Sequence, residues 1–335
     1  MTPIIECIPN FSEGRDKRII NQIADAIQST PQVKLLHIDI GYDANRTVMT
    51  FAGAPLAVVE AAFQAIKTAS QLIDMELHQG EHPRIGATDV CPLVPISGIS
   101  MNEVVALARQ LAAKVSSKLN IPVYCYEAAA FEPHKRNLAA CRKGEYEGIA
   151  AKIKDPLWQP DYGAAQWNKK SGISVIGARQ FLIAYNATLS TEDISIAQAI
   201  AQKIRTSGHA DSLTKQHVAG KFKALKAIGW HMPEYKAAQV SMNFTDFQIS
   251  KLHEVIEEIK ILASEYSCQF IGSELIGLIP LQAILDAGEY YASLENKRCL
   301  PNNELIALAC KHLLLDYHES FDAPKRIVEY ALEER

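Results

Sequence analysis

Apolar and polar positions along the chain switch between two periods. Residues 4–9, IIECIP, are apolar and β-branched up to Pro9, which suggests a short strand. From Arg15 to Gln28, apolar side chains return at 19, 20, 23, 24 and 27, one face of a helix. VKLLHIDI (33–40) and RTVMTFAG (46–53) read as strands joined by the turn GYDAN. Pro55 then opens a helix, where its missing N–H costs nothing. VCPLVPI (90–96) predicts a short strand whose prolines give it an edge or bulge character. A helix over 100–119 and the strand PVYCY (122–126) follow.

The order is β-α-β-β-α-β with a further αβ appended, and it returns after residue 180. FLIAYNATL (181–189) is a strand and Thr191 is placed to cap a helix over 192–206. KFKALKAIGWHM and KAAQVSMNFTDF are strands joined at Pro233. A helix over 250–265, a strand near CQFIG, and helices near 280–291 and 303–315 complete the chain. The fold class expected is α/β of the α+β type. Two ferredoxin-like βαββαβ subdomains, 1–179 and 180–330, carry mixed, mostly antiparallel sheets covered by helices.

Two stretches escape both periods. HQGEHPRIGATD (78–89) gathers titratable side chains where Gly80 and Pro83 interrupt any helix and Gly86 permits a turn with positive φ. His78 and His82 have the spacing that holds zinc on a helix, but there is no helix here, and no metal is expected. A loop histidine by itself merely hydrogen-bonds a turn. His82 has company: Glu81, Arg84 and Asp89 beside it, with Asp39 and Arg46 flanking the strand turn. A carboxylate, Asp39 or Asp89, that holds one imidazole nitrogen leaves the other free to move protons. No Ser, Cys or Lys is placed beside an evident base, and no glycine-rich phosphate loop occurs. The second stretch, DPLWQPDYGAAQWNKKSGIS (155–174), carries two tryptophans and a tyrosine, so it should be ordered and touch something flat.

Composition narrows the rest. With 335 residues, 48% hydrophobic and 21% charged, the chain should be globular with more than one core. A net charge of -4 argues against a nucleic-acid binder. Its seven cysteines, with no C-x-x-C, fit reduced thiols in the cytoplasm. No stretch reads as a signal peptide or a membrane span, and no membrane partner is expected.

IECIPNFSEG (5–14), NRTVMTF (45–51), LIDMELHQGEHPRIGATDVCPLVPI (72–96), GEYEG (144–148) and GARQFLIAYN (177–186) resemble glutamate formimidoyltransferase, the N-terminal part of animal formimidoyltransferase-cyclodeaminase. The resemblance covers the whole chain. It implies two ferredoxin-like subdomains with a ligand cleft between them, a homodimer-like association, tetrahydrofolate as acceptor and His82 as catalytic residue. Its folate segment falls on Gly163, Ala164, Ala165, Gln166, Trp167, Asn168, Lys169, Lys170, Ser171 and Gly172. There this sequence has AAQWNKK in place of a run richer in Ser and Pro. A stand-alone form without the deaminase is expected, with a separate cyclodeaminase as a partner.

The implied reaction moves a formimino group from N-formimino-L-glutamate to N-5 of tetrahydropteroyl(poly)glutamate. Arg46 and Arg84 are placed to clamp the glutamate moiety, Lys169 and Lys170 to meet the folate tail, and Trp167 to offer a stacking face. Two alternatives keep the folate: formyl transfer dependent on 5-formyltetrahydrofolate, and a non-catalytic folate-binding partner of a separate deaminase.

Overall fold

Strand pairing over residues far apart in the chain decides this architecture. The computed structural model describes residues 2–42, 44–80, 83–211, 214–232 and 235–333. The chain divides into two units, Met1–Gln180 and Phe181–Arg335. In the first, β1 (Ile4–Cys7), β2 (Asn10–Phe11), α1 (Lys17–Gln28), β3 (Val33–Gly41), β4 (Arg46–Gly53), α2 (Pro55–Leu72) and β5 (Thr88–Ser97) follow one another. Then come α3 (Met101–Leu119), β6 (Val123–Glu127), α4 (Leu138–Arg142), α5 (Glu145–Lys152) and β7 (Ser174–Ala178).

β1 and β2 both pair antiparallel with β4 and with β5, so they act as one strand broken at Ile8–Pro9. The sheet runs β3, β4, β1/β2, β5, β7, β6, and β7 is parallel to both of its neighbours. Its first four positions have the strand order of a ferredoxin-like βαββαβ unit. α1, α2 and α3 cover one face, meeting the fully buried Ile5, Cys7, Met49, Phe51, Cys91 and Leu93. α1 buries Ile20, Ile23, Ala24 and Ile27 and is capped by Asp16, while Ser100 and Glu103 form a capping box on α3. By the alternation of a strand, Arg46 and Asn10 point to the opposite face.

In the second unit β8 (Ile183–Leu189), α6 (Ile194–Ile204), a short hairpin of β9 (His209–Ala210) and β10 (His217–Val218), β11 (Leu225–Met232) and β12 (Ala237–Phe244) come first. They are followed by α7 (Leu252–Glu265), β13 (Phe270–Ile276), α8 (Leu281–Leu294), α9 (Asn302–Leu313), α10 (Ala323–Arg326) and α11 (Val328–Glu333). The antiparallel order β11-β12-β8-β13 repeats β3-β4-β1-β5. The expected duplicated ferredoxin-like fold is thus observed.

Several local expectations need correction. Chain pairing continues past Pro9, because the residues after it rejoin the same two neighbours. β5 is a long central strand, not an edge, and its irregularity appears as register shifts against β1 and β2. β7, a strand the periodicity did not predict, lies between β5 and β6. The cap of α6 is Asp193, whose side chain accepts from the Ser195 amide (2.8 Å), not Thr191. Pro233 lies outside the described residues. All seven cysteines are free, and five of them are buried. Among the described residues no helix is long and apolar enough to cross a membrane.

Candidate active site

Asn45 is the hinge point of the charged loop. It adopts a left-handed conformation (φ +46°), which Asn tolerates better than most residues. Its Oδ1 accepts from the Gly14 amide (2.9 Å) and its Nδ2 donates to the Gln79 carbonyl (2.9 Å). One buried side chain so ties the FSEG turn, the β3–β4 turn and the 78–80 loop together. Gly80 is required for close approach: a Cβ there would lie 2.3 Å from the Ala44 carbonyl oxygen.

His78 is held at both nitrogens. Arg84 Nε donates to its Nδ1 (3.3 Å), so Nε2 carries the proton and donates to the Asn45 carbonyl (2.9 Å). Burial holds its pKa below the ordinary 6.5; the Asn45 carbonyl opposes that shift and the Arg84 cation adds to it. The unfolded chain therefore binds the proton first as pH falls. This contribution to stability is present above about pH 6.5 and is lost as pH falls through the lower folded value. Melting temperatures at pH 7.5 and 5.5 should drop less on acidification for His78→Gln than for the wild type, and equal drops would remove His78 from the acid response.

Arg84 is saturated. Its Nη1 and Nη2 grip Glu147 at 2.8 and 2.7 Å, Nη1 also reaches Glu145 (3.2 Å), and Nη2 donates to the His78 carbonyl (3.3 Å). The Glu147 hydrogen bond raises the Arg84 pKa, and Arg84 in turn lowers that of Glu147. The clamp expected of Arg84 is therefore closed on the acidic residues of GEYEG. Sequence reasoning quoted that motif without giving its residues this role.

Arg46 directs Nε (2.9 Å) and Nη2 to Asn10 Oδ1, and Nη1 to Asp89 Oδ2 (3.2 Å). Burial lowers its pKa to about 10. Asp89, 1% exposed, also accepts from Arg142 Nη2 (2.5 Å), while its Oδ1 accepts from the Ile85 amide (3.0 Å). Both Asp89 oxygens are committed to this cluster. Asp39 is exposed on β3, and its carboxylate makes no hydrogen bond among the described residues. Glu81 and His82 lie outside the described residues.

The aromatic segment is bound directly to this loop. Ala87 N donates to Ser171 O (2.9 Å), Ile173 N to Ile85 O (2.9 Å) and Met75 N to Lys170 O (2.9 Å). Gly86 and Gly172 face each other in a bridge, and a Cβ on Gly86 would lie 2.2 Å from Ile173 O. Close approach, not a positive φ, is what requires glycine at 86. Tyr146 joins the two parts, its amide bonding Arg84 O (2.9 Å) and its hydroxyl Lys169 O (2.6 Å). Trp167 is half-buried against Tyr146, ring centroids 5.6 Å apart, and its buried Nε1 has no acceptor among the described residues. A pocket of about 310 Å³ is lined by Ser116, Asn120, Pro122, Gly163, Gln166 and Trp167, among others. Lys170 Nζ donates to Gln71 O (2.6 Å), whereas the Lys169 ammonium stands 6.0 Å from the Trp167 ring centre.

Sequence reasoning gave no role to Asn10 or Asn45, or to Arg142, whose partner is 53 positions away. No local pattern marks such a contact. Among the described residues no group of three or more His, Cys, Asp or Glu side chains could hold a metal ion.

Duplicated ferredoxin-like units define an α/β protein of the α+β type, whose first unit carries a loop-borne cluster of arginines and carboxylates with an aromatic segment laced to it. Residues 4–179 match the family described as "Formiminotransferase domain, N-terminal subdomain" and residues 184–333 the "Formiminotransferase domain". The chain belongs to the formiminotransferase family. It is 44% identical over 331 residues to the Rattus norvegicus protein named "Formimidoyltransferase-cyclodeaminase", covering 98% of this chain and 60% of that one. Two proteins named "Glutamate formimidoyltransferase" match nearly end to end. The Streptococcus pyogenes one is 42% identical, covering 91% of this chain and all of the relative. The Thermoplasma acidophilum one is 40% identical, covering 87% and 93%. The chain spans about 60% of the length of the rat relative.

Proposed function

We propose that this chain transfers the formimino group of N-formimino-L-glutamate to N-5 of tetrahydrofolate and releases L-glutamate. The observation that carries the reading is the backbone lacing of residues 170–173 to 75–87. It joins the segment assigned to folate to Met75 and to residues 85–87, which supports assigning both stretches to one site.

The chemistry asks for a proton carrier. N-5 attacks the amidinium carbon, and the tetrahedral centre collapses by breaking the bond to the glutamate nitrogen. That nitrogen leaves only as an amine. An imidazole, assigned to His82, takes the proton from N-5 and delivers it to the departing nitrogen. Asp39 is the carboxylate assigned to orient it, since both oxygens of Asp89 are engaged elsewhere. No metal is assigned a role, so exhaustive dialysis against a chelator should leave transfer intact; loss restored by zinc alone would overturn that. In the assay itself, glutamate must appear only when tetrahydrofolate is present, one per product formed. Release of glutamate without tetrahydrofolate, or none at all, would reject the reaction. The cytoplasm is the assigned compartment, with a second copy of the chain and a cyclodeaminase as partners; seven unpaired cysteines support the compartment.

Trp167, with its apolar face beside the pocket, is assigned to stack on folate. Trp167→Ala should weaken folate binding by about tenfold or more, taking stacking as roughly 1–3 kcal/mol. If Trp167 only packs against Tyr146, melting temperature should fall and affinity stay unchanged. Lys169→Ala should weaken polyglutamylated folate more than Lys170→Ala does, because Lys170 is bonded to Gln71, and less so at high salt. Calorimetry with melting curves in parallel reads both.

A further inference from the structure

Three guanidinium groups belong to the charged cluster, and they are not used alike. Arg84 has closed on Glu145, Glu147 and His78. Arg46 directs all three of its nitrogens to Asn10 and Asp89. Among the described residues the Arg142 side chain makes a single hydrogen bond, Nη2 to Asp89 Oδ2 (2.5 Å). Its buried Nε has no acceptor among the described residues, and its Nη1 has none there either. With its side chain 15% exposed, Arg142 keeps spare donors in a place largely closed to water.

The charges point the same way. One Asp89 oxygen serves two guanidiniums, so Arg46, Arg142 and Asp89 together carry a surplus positive charge. A buried surplus cation is costly unless an anion meets it. A guanidinium fork matches a carboxylate in shape as well as in charge.

The mounting is rigid. Asn137 caps α4, and Lys152 Nζ donates to the carbonyls of Ala140 (2.8 Å), Cys141 (2.7 Å) and Lys143 (3.1 Å), on both sides of Arg142. The Lys152 ammonium lies over the Trp158 ring at 4.0 Å, with no carboxylate bonded to it among the described residues. It therefore holds the end of the helix, and Arg142 leaves that end in a fixed direction.

We propose that Arg142 binds a substrate carboxylate, completing the charge balance that Asp89 leaves open. This rests on the transfer reaction above, in which the donor carries two carboxylates and the folate tail carries others. The donor is the source assigned here, and the test separates the two.

Arg142→Gln and Arg142→Lys are compared with the wild type, with melting temperature followed in each. Lys keeps a cation for Asp89 but lacks the fork, which guards against a variant that fails to fold. For a donor carboxylate, the KM for N-formimino-L-glutamate should rise about 10- to 100-fold, as for loss of a charged hydrogen bond. The KM for tetrahydrofolate should then stay within about twofold. For the folate tail, affinity for tetrahydropteroylglutamate should fall while that for tetrahydropteroate, which lacks the glutamate, stays unchanged; this result would overturn the donor assignment. Calorimetric titration of L-glutamate gives a readout independent of turnover: the wild type should bind it and Arg142→Gln should not. If the wild type binds L-glutamate and the variant does not, yet neither transfers, the reaction is wrong and the carboxylate site stands. Unchanged KM values and unchanged L-glutamate binding in folded variants would overturn the role of Arg142.

Discussion

His82→Ala is expected to lower turnover by about 10²–10⁴-fold at saturating substrates, the range for losing a general acid–base. His78→Ala should cost far less in turnover. The reason lies in what His78 already does. One of its nitrogens donates to the Asn45 carbonyl and the other accepts from Arg84. To shuttle a proton it would have to release one of them, and a protonated ring would face the Arg84 cation. Its loss leaves the Asn45 carbonyl and the Arg84 Nε without partners, so the damage should show as a lower melting temperature. Rates measured at saturating donor and acceptor separate the two histidines. Equal losses, or a larger one for His78→Ala, would reverse the assignment.

Asp89→Asn should destabilise the protein by about 3–5 kcal/mol, the usual cost of removing one partner from a buried ion cluster. The substitution keeps the shape and removes the charge, so Arg46 and Arg142 would be left together with no anion between them. The Ile85 amide would keep its acceptor only if the Asn oxygen stayed on that side. Asp39→Asn is the comparison, because an exposed carboxylate with no described partner should matter by less than about 0.5 kcal/mol. Urea unfolding followed by tryptophan fluorescence suits the measurement, since Trp158 and Trp167 both report on the first unit. A loss below about 1 kcal/mol for Asp89→Asn would mean that the cluster is well solvated. The surplus charge argued for Arg142 would then fall with it.

The division between what was readable and what was not follows the range of each interaction. Helices α1, α2 and α3 were plain in the sequence because side chains three and four apart share a helix face, and Pro55 and Ser100 mark two of the starts. β3, β4 and β8 were legible from short apolar, β-branched runs bounded by turn residues, and the repeated βαββαβ order followed from them. The loop around His82 stood out because Gly80 and Pro83 deny it any regular structure, so its titratable residues needed another explanation.

What the tertiary structure alone decided involves partners remote in sequence. β7 joins β5 and β6 through parallel pairing, 85 positions from Val90 to its partner Val175, and five buried residues leave no period to read. Glycine at 86 is demanded by the carbonyl of Ile173, which no local rule could bring near. Arg84 reads in sequence as a free cation beside a histidine, and only the approach of α5 shows that Glu145 and Glu147 occupy it. Arg142 is the converse: unmarked in its own neighbourhood, it acquires meaning when α4 brings it to Asp89. Local propensity acts over a few residues, whereas the balance of buried charge depends on which segments the fold brings together.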